Sequence, residues 1–200
     1  KLALRDLYYE TSVGSWIENT GRPNTQSEWD TNNNISQVTG WNGITVSGGD
    51  IAEISLDSTN LTGTILPSIG NLKSLNVLSL SNNAISGSIP DEISSLTNLT
   101  SLDLADNNLE DGIPASVSSL IKLVNLDLSG NENLSGLLQE GIFSLKQLET
   151  LRINNSDLTG PIPNNWTNLI KLKELSLAGN SLSNQLPATI GTLNSLQILD

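Results

Sequence analysis

The 200-residue chain has no cysteine, no histidine and no methionine. Without cysteine there is no disulfide staple, no thiolate nucleophile and no sulfur ligand for a metal. Without histidine the commonest general base and the commonest zinc ligand are both gone. Lys and Arg number nine against 21 Asp and Glu, for a formal net charge of -12. Phosphate recognition needs clustered cations, so this balance argues against nucleic acid as a partner. It also disfavours an anionic membrane surface. No apolar run is long enough to cross a bilayer, so no membrane insertion is expected within this segment. Aromatics are scarce too, with one Phe, two Tyr and four Trp. A core must therefore be built mainly from Leu and Ile.

What is present is a period. In the stretch Leu75 to Leu99, Leu75, Leu78 and Leu80 are followed by Asn83, Ile85, Gly87, Ile89 and Pro90, then by Ile93, Leu96 and Leu99. The same frame returns 24 residues later as Leu99, Leu102, Leu104, Asn107, Leu109, Ile113, Pro114, Val117 and Leu120. A fixed period of this length is the signature of stacked repeats. The strand pairs are Ile54/Leu56, Leu78/Leu80, Leu102/Leu104, Leu126/Leu128, Leu151/Ile153 and Leu175/Leu177. A seventh opens at Leu196 and Leu199 and stops at Asp200, inside a repeat. With Lys1 as the first residue, this reads as a processed protein or an excised piece. The spacing is 24 except from Leu126 to Leu151, where it is 25. The extra residue lies in GNENLSG, where a one-residue bulge would absorb it without shifting the strands.

Each repeat has a physical reading. The L-x-L alternation has period two and puts both Leu on one face of a short strand. Asn83, Asn107, Asn131 and Asn180 follow the strands where the chain turns inward. An amide both donates and accepts, so these Asn are expected to satisfy buried backbone groups at that corner. Thr59 and Ser156 take the same place in two repeats and satisfy fewer groups. Ile-Pro at 89–90, 113–114 and 162–163, with Leu-Pro at 186–187, holds an extended segment. The I-x-x-L units that follow predict a short helical turn on the outer side.

Residues 1–50 lack the period. Leu4, Leu7 and Tyr8 predict a short amphipathic helix over residues 2–10. A polar, turn-rich stretch follows, punctuated by Trp16, Trp29 and Trp41. These rings are read as covering the apolar edge of the first repeat, with ligand contact as the alternative.

The frame L-x-x-L-x-L-x-x-N-x-L-x-G-x-I-P resembles the leucine-rich repeats of the 24-residue, plant-type extracellular class. The likeness covers residues 51–200. The ALRDLYYET opening, Trp16 and the W-N-G-I-T-V unit at 41–46 are similar to the amino-terminal cap of that class. Plant members usually carry a paired Cys where Val46 stands here. Cysteine-free versions with this opening resemble secreted or surface proteins of bacteria and some protists. The resemblance implies an α/β solenoid, a right-handed superhelix with a parallel concave β-sheet and an N-terminal helical cap. Its domains would be a cap at 1–50 and, at 51–200, six full repeats and the start of a seventh, open at the C-terminal end.

In this family the ligand usually lies on the concave face, and the alternation names the outward residues. The candidates are Asp57, Ser79, Ser81, Asp103, Asp127, Arg152, Asn154 and Ser176. Asp103 and Asp127 hold one place in successive repeats, so they are expected to be neighbours. Calcium takes six or more oxygens, and little else in these rows would complete its shell. No catalytic residues, metal site or cofactor are assigned. N-x-S/T sequons occur at Asn34, Asn60, Asn98, Asn133, Asn154 and Asn165, several of them produced by the repeat frame itself. Trp166 takes the Ile93 place and is expected in the core. Phe143 falls one position later and is expected on the outer surface, where it would mark a lateral contact. No column of outward Thr recurs, which argues against ice binding.

The function that follows is a non-enzymatic binding module, extracellular or at the cell surface, recognising a protein, peptide or glycan. The alternatives are a structural or adhesive spacer in a larger surface protein and the ectodomain of a receptor kinase.

Overall fold

A computed structural model of the protein describes residues 42–200. The helix expected over residues 2–10, Trp16, Trp29, Trp41 and the sequon at Asn34 lie outside the described residues. Fourteen short strands follow in chain order. They are β1 (Ile44–Ser47), β2 (Asp50–Ser55), β3 (Thr62–Thr64), β4 (Val77–Ser79), β5 (Ala84–Gly87), β6 (Ser101–Asp103) and β7 (Asn108–Leu109). Then come β8 (Asn125–Asp127), β9 (Ser135–Leu137), β10 (Thr150–Arg152), β11 (Asp157–Pro161), β12 (Glu174–Ser176), β13 (Ser181–Ser183) and β14 (Ile198–Leu199).

One sheet holds eight of them in the order β1-β2-β4-β6-β8-β10-β12-β14. β1 pairs antiparallel with β2, and Ile44, Thr45 and Val46 of the repeat-free segment lie in that strand. Every other pair in this sheet is parallel, with Ile54, Leu78, Leu102, Leu126, Leu151, Leu175 and Leu199 in one register row. The 25-residue step leaves that row unbroken, because Leu126 still faces Leu151.

The Leu of each L-x-L pair point into the coil and are buried from solvent. Each contributes on the order of 2 kcal/mol through the area it removes from water. On the far side of the coil sit 3₁₀ turns at Pro67–Asn71, Asp91–Ser95, Ala115–Ser119, Glu140–Ser144, Trp166–Asn168 and Ala188–Thr192. Each closes with a Leu N–H on the carbonyl three residues back, as Leu96 does on Ile93 at 3.0 Å. Pro90, Pro114 and Pro187 precede three of them with φ of -70°, -67° and -64°. Gln139 stands where the fourth repeat lacks Pro, and it adopts φ -66° without a ring to impose it.

Two findings lie beyond the sequence reading. The chain leaving the inner sheet forms two further three-stranded parallel sheets, β3-β5-β7 and β9-β11-β13. Phe143 is not on the surface: it is 2% exposed and packs edge-on against Trp166, ring centroids 4.8 Å apart. Its neighbours in the frame are Gly and Ser, so no period advertised the site. Trp166 is fully buried, as expected, and its indole N–H donates to the Pro163 carbonyl at 2.7 Å.

The corner Asn behave as expected. Asn107 accepts from Ile85 N–H in the preceding repeat and donates to the Leu80, Leu104 and Ala105 carbonyls. Asn131 does the same for Leu109, Leu104, Leu128 and Ser129. Ser156 makes none of these bonds, and its buried hydroxyl has no partner.

Candidate functional site

The inner sheet turns three rows of side chains outward. Pairing in register makes the middle row Ser55, Ser79, Asp103, Asp127, Arg152 and Ser176. Adjacent strands lie ~4.8 Å apart, so each side chain in a row has its neighbours within reach.

The predicted residues gather in three groups. Asp57 Oδ1 accepts from Ser79 Oγ at 2.5 Å, Ser81 Oγ at 3.0 Å and Ser81 N–H at 2.9 Å. Asp103 and Asp127 face each other across β6 and β8. Asp103 accepts from Ala105 N–H at 3.1 Å, while Asp127 accepts from Ser129 N–H at 3.0 Å and Ser129 Oγ at 2.5 Å. Ser176 Oγ lies 3.2 Å from Asn154 Oδ1 and 3.0 Å from Asp200 Oδ2.

Arg152 joins the second group to Glu174. Its Nε and Nη2 donate to the two Glu174 oxygens at 2.6 Å each, and Nη1 donates to Asp127 Oδ2 at 3.2 Å. These bonds push the Arg152 pKa further up, the Glu174 hydrogen bonds first. A fork-on-fork pair of this kind fixes orientation as well as charge. Arg152 is thus held within the face, with 41% of its side chain still exposed. Burial pushes the Asp103 carboxyl up from its ordinary range, and the nearby Asp127 and Asp57 charges add to this. The Ala105 N–H and Arg152 pull the other way. Burial thus disfavours the charged form of Asp103.

Glu174, Ser129 and Asp200 belong to this network and were not among the predicted site residues. Glu174 and Ser129 were readable as outward positions, but their partners needed the register. A polar cleft of about 340 Å³ at the rim was also missed. Asn83, Asp106, Asn107, Asn108, Gly130, Glu132 and Asn133 line it. The extra residue at 131–134 was the available signal. Among the described residues, no group of three or more carboxylates gathers as a metal site, and no helix is long and apolar enough to cross a membrane.

Residues 54–176 match the family described as leucine-rich repeat region, and residues 171–193 match a leucine-rich repeat unit. The chain belongs to the leucine-rich repeat family. No curated protein sequence matches it. Among solved structures, this leucine-rich repeat chain is similar to PEPR1 in its complex with AtPEP1, at 36% identity and TM-score 0.81, over 94% of this chain and 27% of that one. It is also similar to the Arabidopsis receptor kinase HAESA, solved with the peptide hormone IDA and the co-receptor SERK1. That likeness has 33% identity and TM-score 0.83, over 99% of this chain and 32% of HAESA. The leucine-rich repeat ectodomain of SOBIR1 from Arabidopsis thaliana matches at 30% identity and TM-score 0.71, over 90% of this chain and 93% of that one. The chain thus spans about a third or less of the first two. All three are plant proteins, which places the repeats in the plant-type class.

Proposed function

We propose that the chain is a non-enzymatic binding module, extracellular or at the cell surface, that takes an extended peptide, a protein segment or a glycan along its inner face. The observation that carries this is the open middle row from Ser55 to Ser176, six hydrogen-bonding side chains in unbroken register. Such a row offers a contact at each strand, which suits a ligand lying across the strands. The likeness to the ectodomains of HAESA and PEPR1, solved with IDA and AtPEP1, supports the reading. Asp57, Ser79, Ser81, Asp103, Asp127, Asn154 and Ser176 would form the contact surface, with Arg152 as the anchor side chain. A receptor ectodomain fits the same likeness.

The spacer reading has one observation in its favour. Arg152 is already paired on both sides, so the face satisfies its own strongest charge. Binding separates the two. Peptide and glycan arrays are to be probed with the wild type and with Asp103→Ala/Asp127→Ala/Arg152→Ala. A ligand held by the wild type and lost by the variant supports the inner-face site. Equal binding by both removes the assignment, and no ligand for either leaves the spacer.

A further inference from the structure

Each coil leaves the inner sheet by one leg, passes through a 3₁₀ turn and returns by a second leg. The two legs therefore run down opposite flanks. The outgoing flank carries the small sheets β3-β5-β7 and β9-β11-β13. Its charged residues, among those described, are Asp106, Glu110, Asp111, Glu132 and Asp157, all acidic and all exposed. The return flank carries Lys73, Lys122, Lys146, Lys171 and Lys173, all exposed, against two carboxylates, Asp50 at its first coil and Glu149, which pairs with Lys173 at 2.6 Å. Apart from Arg152 on the inner face, every cation among the described residues stands on that one flank. Among the described residues of a chain of formal charge -12, this one flank is thus net basic.

The flanks match in more than sign. Ile121 and Ile170 are each 62% exposed beside Lys122 and Lys171, and Leu137 is 54% exposed on the acidic flank between Glu132 and Asp157. These aliphatic side chains supply apolar area that a contact between the flanks would remove from water. The acids all fall in the third to fifth repeats, and so do Lys122, Lys146 and Lys171. Lys122 donates to Asn98 Oδ1 at 2.7 Å and Lys171 to Gln147 Oε1 at 2.5 Å. Each ammonium has three donors, so these bonds steady it and leave N–H groups facing out.

We propose that the two flanks are halves of one interface, in which the lysine flank of one copy of this chain docks side by side on the acidic flank of a second copy. Both flanks step once per repeat, with rungs ~4.8 Å apart at the inner sheet, so two solenoids lying in register meet charge to charge over three coils. Exposed Ile121 and Ile170 then cover the side that presents Leu137. The contact joins two different surfaces, so each added copy leaves a free flank at both ends of the row, and assembly is open rather than a closed dimer. Net repulsion between copies is screened beyond ~10 Å at about 0.1 M salt, whereas pairs in contact are screened less. The inner face is not used, so this interface and the ligand site stand or fall separately.

Sedimentation velocity on the full chain tests it. At about 0.1 M salt the average mass should rise with protein concentration, and at about 1 M it should return to the monomer. Lys122→Glu/Lys146→Glu/Lys171→Glu alone, and Asp111→Lys/Glu132→Lys/Asp157→Lys alone, should each weaken association roughly tenfold, the sum expected of three exposed ion pairs. Mixing the two variants should restore it. Both variants remain net acidic, so overall charge cannot drive that rescue. A wild type that stays monomeric at every concentration and salt overturns the proposal without any variant. So does association that neither triple substitution weakens, or a mixture that fails to associate while both variants keep the wild-type circular dichroism.

Discussion

Two corners of the solenoid meet the same backbone need by different means. In the third repeat, Leu109 N–H is satisfied by Asn131 Oδ1, which reaches back from the next coil. In the fourth, Leu134 N–H holds the equivalent place and bonds at 2.9 Å to the backbone carbonyl of Asn131, three residues before it. The extra residue between Asn131 and Leu134 creates that local acceptor. The next coil then has no amide to supply, and Ser156 stands in the column of Asn83, Asn107, Asn131 and Asn180. Strand-end carbonyls stay satisfied, because Leu128 keeps Asn131 and Ile153 keeps Asn180. The 25-residue repeat and the missing Asn are therefore one event, not two irregularities.

The comparison is sharpest at Asn107. Asn107→Ala orphans the buried Ile85 N–H and removes three further bonds, and should cost about 3 kcal/mol in a urea denaturation. Deleting Glu132 should cost about 2 kcal/mol, because Leu134 N–H loses its local acceptor. Adding Ser156→Asn to that deletion restores the frame and should recover most of the loss. A double-mutant cycle with no coupling between the two changes would break the account. Ser156→Ala goes the other way: it removes a buried hydroxyl with no partner, so stability should hold or rise by up to about 1 kcal/mol.

Two smaller effects test positions near the corners. One column of the frame holds left-handed backbone in every repeat, as Gly63, Gly87, Asp111, Gly136, Gly160 and Asn184, with Asp111 at φ 59°. Asp111→Gly should stabilise by roughly 0.5–1 kcal/mol, the strain that a side chain carries there. A melting temperature that falls would contradict this. On the inner face, the raised pKa of Asp103 means that its charged form weighs against the fold. That penalty is present at neutral pH and is relieved as pH falls through the folded value towards the ordinary carboxylate range. Asp103→Asn should thus be the more stable protein at neutral pH, and its lead over the wild type should shrink on acidification. A lead that grows on acidification would reverse the sign.

Much of the fold was legible because Leu and Asn repeat for reasons internal to each coil. The L-x-L alternation located every inner strand from the second repeat on, and the odd spacing at 126–151 located the bulge. The outer sheets were not legible. Their strands are two to five residues long and most carry one aliphatic residue, such as Ile85, Leu109 or Leu158, which is too few to show a period of two, and they are held by backbone bonds between coils. Phe143 was misplaced because its column tolerates Gly and Ser, and only the neighbouring Trp166 explains a ring there. The outward residues of the inner face could be named from alternation alone. Their pairing could not, since Arg152 reaches Glu174 and Asp127 only through the register of β8, β10 and β12.

The two outer sheets are separate, while the inner sheet runs without a break. Between β7 and β9 the outgoing leg is tied across the gap by Ser135 N–H donating to the Asp111 carbonyl at 2.6 Å. The consequence is mechanical. A rod with one continuous seam and one interrupted seam bends most easily at the interruption, and towards or away from that side. The coil between the third and fourth repeats is thus an expansion joint, where the curvature of the inner face can change while its ladder of hydrogen bonds stays whole.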